Sequence, residues 1–455
     1  MADVGRHRYD ESVARLRASY AAIPPGAPVR LAKRTSNLFR ARARAAHGLD
    51  VSGLSGLLSV DPAARTADVL GMTTYEDLVD ATLPYGLMPL VVPQLKTITL
   101  GGAVTGLGIE STSFRNGTPH ESVLEMDVLT GDGRLVTARP DNEHAELFFG
   151  FPNSYGTLGY ALRLRIELEP VRSYVRLRHV RFGSAPDALA ALAAICAGRS
   201  HEGEPVDFLD GTVFTPGEVY LTLGTFADAA PDVSDYTSRH IYYRSLQQRR
   251  EDHLTVRDYL WRWDTDWFWC SRAFGVQNPR VRRLVPSRLL RSDTYWRLIA
   301  LEQRFGIVGR IDRARGRAPE ERVVQDIEVP VERAAEFLEF LHRDTGIAPV
   351  WLCPLQQRDA RTWDLYELDP DTLYVNIGFW STVALRPGEA DGIHNRRIEE
   401  EVTRLGGRKS LYSTAYYPEA EFWATYNGES YRKLKQRYDP DGRLLDLYGK
   451  TVRAR

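Results

Sequence analysis

The amino-acid sequence predicts an α+β protein built from two domains. Its 455 residues exceed the size at which a single hydrophobic core usually stops growing, and 43% of them are hydrophobic, which is enough for sizeable cores. Strand patterns and helix patterns are mixed along the chain without strict alternation. A doubly wound parallel sheet requires that alternation, so the mixture favours an α+β architecture.

The first third of the chain gives clear signals for individual elements. Thr74 is a candidate N-cap that precedes two acidic residues, and Pro84 ends the run, so residues 74–83 are predicted to form a helix. The turn Gly131-Asp132-Gly133 lies between two short apolar runs, which is a specific signal for a β-hairpin. The other predicted elements here are a helix at residues 12–20 and strands at residues 54–60 and 66–70.

Pro170 marks a predicted domain boundary, because it ends an alternating strand at residues 162–168. Residues 1–170 are assigned to the first domain and residues 171–420 to the second. The second domain shows helix patterns at residues 186–197 and 334–342, and strand patterns at Val213 and at residues 219–223, 323–329 and 374–378.

Composition and charge exclude several classes of protein. The formal net charge of −1 gives no general attraction to nucleic acid. The three widely spaced cysteines predict neither a disulfide framework nor a cysteine-rich metal site, and they favour a reducing compartment. The polar N-terminus and the absence of a long apolar stretch argue against secretion and membrane insertion. We therefore expect a cytoplasmic protein.

The segment from Leu95 to Gly117 is the most informative part of the sequence. Glycines and hydroxyl side chains recur there without a charge run or a helical period, which predicts a loop that wraps a pyrophosphate. The spacing matches neither a P-loop nor the G-x-G-x-x-G fingerprint. The candidate binding residues are Thr97, Thr99, Gly101, Gly102, Gly106, Gly108, Ser111, Ser113 and Gly117.

This segment and two flanking motifs resemble the flavoproteins with an FAD domain of the vanillyl-alcohol oxidase and p-cresol methylhydroxylase (PCMH) type. The flanking motifs are Arg34-Thr35-Ser36-Asn37 and Tyr155-Gly156-Thr157-Leu158-Gly159. The resemblance implies a two-subdomain FAD domain, an α+β substrate-binding cap, and a C-terminal segment, residues 421–455, that returns to the FAD domain. It adds Arg34, Thr35, Ser36, Asn37, Gly156 and Gly159 to the FAD-binding residues.

The residues at the first flanking motif also bear on how the flavin is held. The position that often carries a flavin-linking histidine or cysteine in this family has neither residue here, since the run is Arg34-Thr-Ser-Asn-Leu-Phe. The resemblance therefore implies FAD bound without a covalent link, which makes a reductase easier to accept than a high-potential oxidase.

Four downstream segments resemble the sterol Δ24-reductase branch of these flavoproteins. They lie at residues 323–326, 351–354, 373–378 and 421–423. Within that branch the chain is most similar to bacterial reductases that convert a 10-methylene fatty acyl chain into the 10-methyl chain of tuberculostearic acid. That similarity implies NADPH or NADH as electron donor and a phospholipid-linked acyl substrate. It leaves open a Δ24-sterol-type reductase, a sugar or alcohol oxidase of the same superfamily, and whether a methyltransferase partner hands over the substrate.

Reduction of an unactivated alkene needs a hydride donor, a positioned acid and a dry site. Tyr374 and Asn376 share one strand face by period two, and Tyr412 precedes the C-terminal segment. We expect these three residues to be catalytic, although a buried tyrosine can equally be a packed ring with a hydrogen-bonded hydroxyl. The ten histidines show no zinc-type spacing, so no metal is expected.

Two segments suggest contact with lipid. Residues 258–270 hold four tryptophans, which suit either a hydrophobic core or the wall of an acyl site. From Arg280 to Arg322 there are twelve arginines against five acids, interleaved with large hydrophobic residues. That combination favours peripheral contact with the inner face of the plasma membrane, although a solvated helical face has the same composition.

Overall fold

The computed structural model describes residues 2–33, 39–40, 48–238, 240–305 and 318–453, and two antiparallel sheets organise this part of the chain. The first sheet has the strand order β1-β2-β6-β4-β5, with β3 paired to another part of β6. Its strands are β1 Leu57–Asp61, β2 Thr66–Leu70, β3 Leu87–Pro89, β4 Val123–Leu129, β5 Leu135–Ala138 and β6 Tyr160–Pro170.

Short helices surround the first sheet. Thr74 caps the helix Tyr75–Thr82, because its side chain accepts a hydrogen bond from the backbone N–H of Asp77. A 3₁₀ turn over Leu83–Tyr85 follows, since the ring of Pro84 cannot continue the helix. The other helices of this part are Ala2–Ala21, Leu100–Thr105, Ser113–Asn116 and Ala145–Gly150, with a 3₁₀ turn at Pro119–Ser122.

The second sheet has eight strands in the order β12-β7-β11-β10-β14-β15-β13-β16. These strands are β7 Tyr174–Phe182, β10 Phe208–Thr215, β11 Glu218–Ala227, β12 Glu251–Thr255, β13 Glu320–Pro330, β14 Val350–Leu355, β15 Tyr374–Ala384 and β16 Arg408–Lys409. A small hairpin of β8 Ser200–His201 and β9 Glu204–Pro205 lies outside this sheet.

Three long helices cover one face of the second sheet: Ala185–Gly198, Val331–Thr345 and Ile393–Arg404. The odd-numbered hydrophobic residues of β13 and β15 pack in the core beneath these helices, so the even-numbered residues of both strands point to the opposite face. The remaining helices are Tyr242–Ser245, Val256–Leu260, Pro279–Leu284 and Ser292–Phe305, with 3₁₀ turns at Cys270–Phe274 and Ser287–Leu289.

The chain leaves the first sheet at Pro170, where β6 ends, and enters the second at Tyr174, where β7 begins. Its C-terminal helices, Glu419–Thr425, Gly428–Tyr438 and Leu447–Thr451, lead back to the first sheet. The carbonyl of Tyr438 accepts a hydrogen bond from Gly131 N–H at 2.9 Å, and the carbonyl of Arg443 accepts one from Val29 N–H at 2.8 Å.

The α+β prediction is confirmed, because both sheets are antiparallel and the helices pack against them without β-α-β alternation. The predicted hairpin forms between β4 and β5, and the predicted helix after Thr74 forms as well. In the described ranges, no helix is both long and apolar enough to span a bilayer.

Candidate functional site

A cavity of about 1180 Å³ lies between segments that surround the first sheet and the free face of the second sheet. It exceeds the usual range for a small-molecule site, about 300–1,000 Å³, so it has room for a dinucleotide together with a second ligand. Its walls come from residues 29–33, 93–109 and 155–161 on one side and from β13, β15 and the segment around Trp267 on the other. Leu445 and Lys450 of the C-terminal segment complete the wall.

Seven of the predicted FAD-binding residues line this cavity. They are Thr97, Thr99, Gly101, Gly102, Gly106, Gly108 and Gly156. The motif Arg34, Thr35, Ser36 and Asn37 lies outside the described residues.

The two adjacent glycines of the loop have different local roles. The N–H of Gly101 donates to the carbonyl of Gly71 at 2.9 Å, and a Cβ on Gly101 would lie 2.6 Å from that carbonyl oxygen. A Cβ on Gly102 would meet only the hydroxyl of Thr99, which caps the helix that follows. Gly101 therefore allows the loop to approach its neighbouring strand, whereas Gly102 leaves the cavity wall flat.

Four other predicted residues do not line the cavity, and the structure gives each of them another role. The hydroxyl of Ser111 hydrogen bonds to the Tyr259 hydroxyl at 2.9 Å, and Ser113 accepts from the N–H of Glu110 at 3.0 Å. Gly117 has a φ of +66° beside the carboxylate of Glu121, and Gly159 packs against β4. The loop hydroxyls therefore differ in role: Thr97 and Thr99 line the cavity, Ser111 contacts Tyr259, and Ser113 bonds within the loop.

The first-domain side of the cavity fits an anionic cofactor. Its described lining contains the basic residues Arg30, Lys33, Arg40 and Lys450, whereas the only acid in the described lining is Asp326 on the opposite wall. The guanidinium of Arg40 lies 4.9 Å from the centre of the Tyr155 ring. Positive side chains and flat glycine backbone together suit a pyrophosphate and a planar ring.

Two polar atoms on this wall add to the fit. Thr97 Oγ1 and Gln94 Nε2 are buried and have no hydrogen-bond partner among the described residues. Buried polar groups are nearly always paired, so such atoms at a cavity wall indicate a ligand that hydrogen bonds to them.

The opposite wall carries a carboxyl group held by neighbouring side chains. Asp326 of β13 lies diagonally across from Asn376 of β15, whose Nδ2 is 3.5 Å from Asp326 Oδ1. The Tyr412 hydroxyl donates to the Asp326 carboxyl, and Trp380 Nε1 donates to the Tyr412 oxygen at 3.1 Å. All four side chains line the cavity.

The strand register explains why this carboxyl has space. Asp326 is opposite Gly378, and Gly378 is opposite Trp351 on the other side. A Cβ on Gly378 would lie 2.3 Å from Asp326 Oδ1 and 3.3 Å from the Trp351 ring. Only glycine at this position lets the carboxyl and the indole lean over the strand between them.

Burial raises the pKa of Asp326 to about 7, and the hydrogen bonds from Tyr412 and Asn376 oppose that rise. The carboxyl is accessible only in part, because it faces the cavity from deep within the protein. In the described part of the chain no lysine or arginine forms an ion pair with it. Burial, followed by the charge of Asp326, raises the pKa of Tyr412 well above its usual value. Asp326 therefore holds a transferable proton near neutral pH.

The structure brings two of the three predicted catalytic residues to the cavity and leaves the third outside. Asn376 and Tyr412 line it. Tyr374 is not part of the described lining, because its hydroxyl turns towards the loop after Leu368 and accepts a hydrogen bond from Asp369 N–H at 3.3 Å. The sequence pattern places Asp326 with Glu328 on one strand face, but it did not lead us to select Asp326 as catalytic.

Aromatic rings enclose the carboxyl. Phe268 and Trp380 have ring centres 4.4 Å apart, and Trp267 and Trp296 have ring centres 4.9 Å apart. The tryptophan-rich segment is divided, since Trp261 and Trp263 are core residues whereas Trp267 lines the cavity. The acid thus faces a largely apolar chamber.

Comparison with known proteins agrees with this geometry. Residues 10–139 match the family described as FAD binding domain. The chain is similar to the Delta(24)-sterol reductase of Arabidopsis thaliana, with 24% identity over 90% of this chain and 77% of the relative. It is also similar to the Delta(24)-sterol reductase of Homo sapiens, with 27% identity over 89% of this chain and 76% of the relative. The corresponding homolog of Caenorhabditis elegans is 25% identical over 88% and 78%.

The cavity and these similarities lead to the same assignment. The predicted loop lines a site whose charge fits FAD, and the family match covers that loop. The similarity to the reductases continues through the second domain, where the internal acid lies. The chain is therefore an FAD-dependent oxidoreductase with an FAD-binding domain of the PCMH type, and it is similar over most of its length to Δ24-sterol reductases.

Proposed function

We propose that this protein uses NADPH or NADH, through non-covalently bound FAD, to reduce the methylene C=C bond of a 10-methylene fatty acyl chain on a phospholipid. The product is the 10-methyl chain. The observation that carries the proposal is the protonatable carboxyl of Asp326 in an aromatic chamber that is continuous with the FAD site. The relatives named as sterol reductases support a double bond as the group that is reduced.

Protonation of the alkene is the step that this chain's residues perform. The carboxyl of Asp326 gives its proton to the terminal CH₂ group, which leaves a tertiary cation at the branch carbon. The Tyr412 hydroxyl stabilises the resulting carboxylate, and Trp380 Nε1 keeps that hydroxyl in place. Reduced FAD, when bound, supplies the hydride that completes the saturated product. Solvent then returns a proton to Asp326.

The walls of the chamber protect the cation. Water would capture it as an alcohol, so the rings of Trp267, Phe268 and Trp351 must exclude water from the branch carbon. The faces of aromatic rings also attract positive charge, by about 0.5–2 kcal/mol for each well-placed ring. Asn376 keeps the Asp326 carboxyl oriented through its Nδ2 group.

FAD would lie against the loop that holds Gly102 and Gly106, with Thr97 and Thr99 as hydroxyl donors. The cationic groups of Arg30 and Lys450 suit its pyrophosphate. None of the described lining residues is histidine or cysteine, which fits non-covalent binding. We place the reaction in the cytoplasm, where the reduced nicotinamides are available.

An anaerobic two-step experiment tests the proposal. Purified yellow protein is mixed with NADPH or NADH until its absorbance bleaches, and vesicles that carry 10-methylene phospholipid are then added. We expect the absorbance to return and the lipid to gain two hydrogens in mass. Asp326→Asn is the matched variant, since it should bleach normally and then remain bleached. An equally fast return of absorbance in Asp326→Asn would refute the role of the acid.

A Δ24-sterol-type alkene is the second candidate substrate, and the names of the relatives favour it. The same protocol separates the two, because a sterol with a side-chain double bond replaces the phospholipid in a parallel sample. Reoxidation by the sterol alone would move the assignment to a sterol reductase. Protein that neither nicotinamide bleaches would instead be tested as a sugar or alcohol oxidase.

A further inference from the structure

The surface between Arg280 and Leu298 combines exposed hydrophobic side chains with three arginines that pair with no acid in the described part of the chain. Of the seven large hydrophobic side chains exposed in the described part of the chain, four fall in this stretch. Leu284 is the extreme case, with 85% of its surface exposed. We name this the docking surface and define it by Arg280, Val281, Arg283, Leu284, Arg288, Leu289 and Leu298.

The inner side of this segment is firmly attached. Arg282 forms an ion pair with Asp266 at 2.8 Å, and Arg291 forms one with Glu76 at 2.6 Å. The Ser292 hydroxyl donates to Asp264 at 2.6 Å. These contacts anchor the segment, so its exposed side chains extend from a fixed backbone.

The three arginines of the docking surface differ from these anchored ones. Arg280, Arg283 and Arg288 are exposed, and no acidic residue of the described ranges pairs with them. Positive charge interleaved with exposed aliphatic side chains matches an anionic lipid surface, where the charges meet headgroups and the hydrophobic groups enter the acyl boundary.

The docking surface is also close to the substrate chamber. The helix Ser292–Phe305 carries Leu298 on its exposed side and Trp296 on its buried side, and Trp296 lines the cavity. The Trp296 ring lies 5.1 Å from that of Phe39, which lies 5.6 Å from that of Tyr412. The Phe39 ring therefore links Trp296 of this helix to Tyr412, which hydrogen bonds to Asp326.

We propose that this surface docks the protein on an anionic phospholipid bilayer and that the acyl chain enters the chamber past Trp296. The entry of the acyl chain rests on the proposed function, whereas docking itself does not. A bilayer-borne substrate then reaches Asp326 without crossing water.

Vesicle binding tests the docking. Holoprotein is sedimented with vesicles of phosphatidylcholine alone, or of equal parts phosphatidylcholine and phosphatidylglycerol, at several salt concentrations. We expect binding to the anionic vesicles only, weakening as salt rises. Replacing Arg280, Arg283 and Arg288 by alanine should weaken it about a hundredfold, because each arginine near such a surface contributes about fivefold.

Two control variants make the result specific. Alanine at Arg6, Arg250 and Arg432 removes the same charge from exposed arginines elsewhere, and we expect little change in vesicle binding. Leu284→Ser should weaken binding about tenfold, whereas serine at Leu124, exposed on β4, should not.

Three results would overturn the proposal. The first is equal binding to neutral and anionic vesicles, and the second is equal loss of vesicle binding in the two arginine triples. The third is a protein that binds no vesicles but forms a dimer in solution, which Leu284→Ser dissociates. The last result would identify a second copy of the chain as the occupant of this surface. A docked protein that fails to reduce 10-methylene lipid would refute the proposed substrate and leave the docking intact.

Discussion

Replacement of Asp326 by asparagine should make the protein more stable and less active at the same time. Burial raises the pKa of this carboxyl from 3.8 to about 7. Folding therefore favours the neutral form, so the contribution of Asp326 to the free energy of unfolding decreases between about pH 4 and pH 7 and stays low above that. At 1.36 kcal/mol per pH unit the decrease is at most about 4 kcal/mol, less any solvation by cavity water.

Asparagine keeps the shape of the side chain and cannot ionise. At pH 8.5 the FAD-saturated Asp326→Asn variant should melt a few degrees above the wild type, and the difference should vanish near pH 4. In the same variant the reoxidation rate with the alkene should fall about 10²–10⁴-fold, the usual contribution of a general acid. In the wild type that rate should fall tenfold per pH unit above about pH 7.

Differential scanning fluorimetry and anaerobic stopped flow measure the two effects on the same samples. The flavin reduction rate with NADPH or NADH serves as the internal control, because Asp326 has no part in that half-reaction. Wild-type turnover in Asp326→Asn, or a wild-type rate that is flat from pH 6 to pH 9, would refute the assignment of Asp326 as the acid.

Four other substitutions test neighbouring parts of the site. Tyr412→Phe should retain FAD and its reduction but lose most turnover. The pH above which its reoxidation rate falls should rise by about one unit, because the hydrogen bond that lowers the pKa of Asp326 is gone. An unchanged pH dependence in stopped flow would contradict this. Gly102→Leu should yield folded, colourless protein, which absorbance will show. Gly101→Val should instead lower the Tm through its clash with the Gly71 carbonyl, which melting curves will show. Gly378→Ala should displace the Asp326 carboxyl and slow reoxidation about tenfold or more with normal flavin reduction; a normal reoxidation rate would show that the clash is relieved elsewhere.

Local signals predicted the elements of the fold well. The cap at Thr74 and the hairpin at Gly131-Asp132-Gly133 depend on hydrogen bonds within a few residues, so their chemistry is readable in the sequence. Asn376, which we selected by period two, lies on the strand face that borders the cavity. Ser111 was different, because its partner Tyr259 is 148 residues away.

The acid could not be selected from the sequence for a related reason. Asp326 is defined by the pairing of β13 with β15, by the missing side chain at Gly378 and by Tyr412, and all three are separated from it along the chain. The alternation of β13 indicates which face Asp326 shares with Glu328, but it does not show that the face borders a cavity. Tyr374 was chosen on the same periodicity, and its hydroxyl turns to a nearby loop instead.

The contribution of the C-terminal segment to the cavity wall has a consequence for how the protein matures. Leu445 and Lys450 line the site, and Lys450 donates to the carbonyl of Tyr155 beside the flavin loop. The ribosome has made both sheets before these residues emerge. We therefore expect FAD to be captured only after the second sheet has been made, and residues 10–139 made alone should emerge without colour.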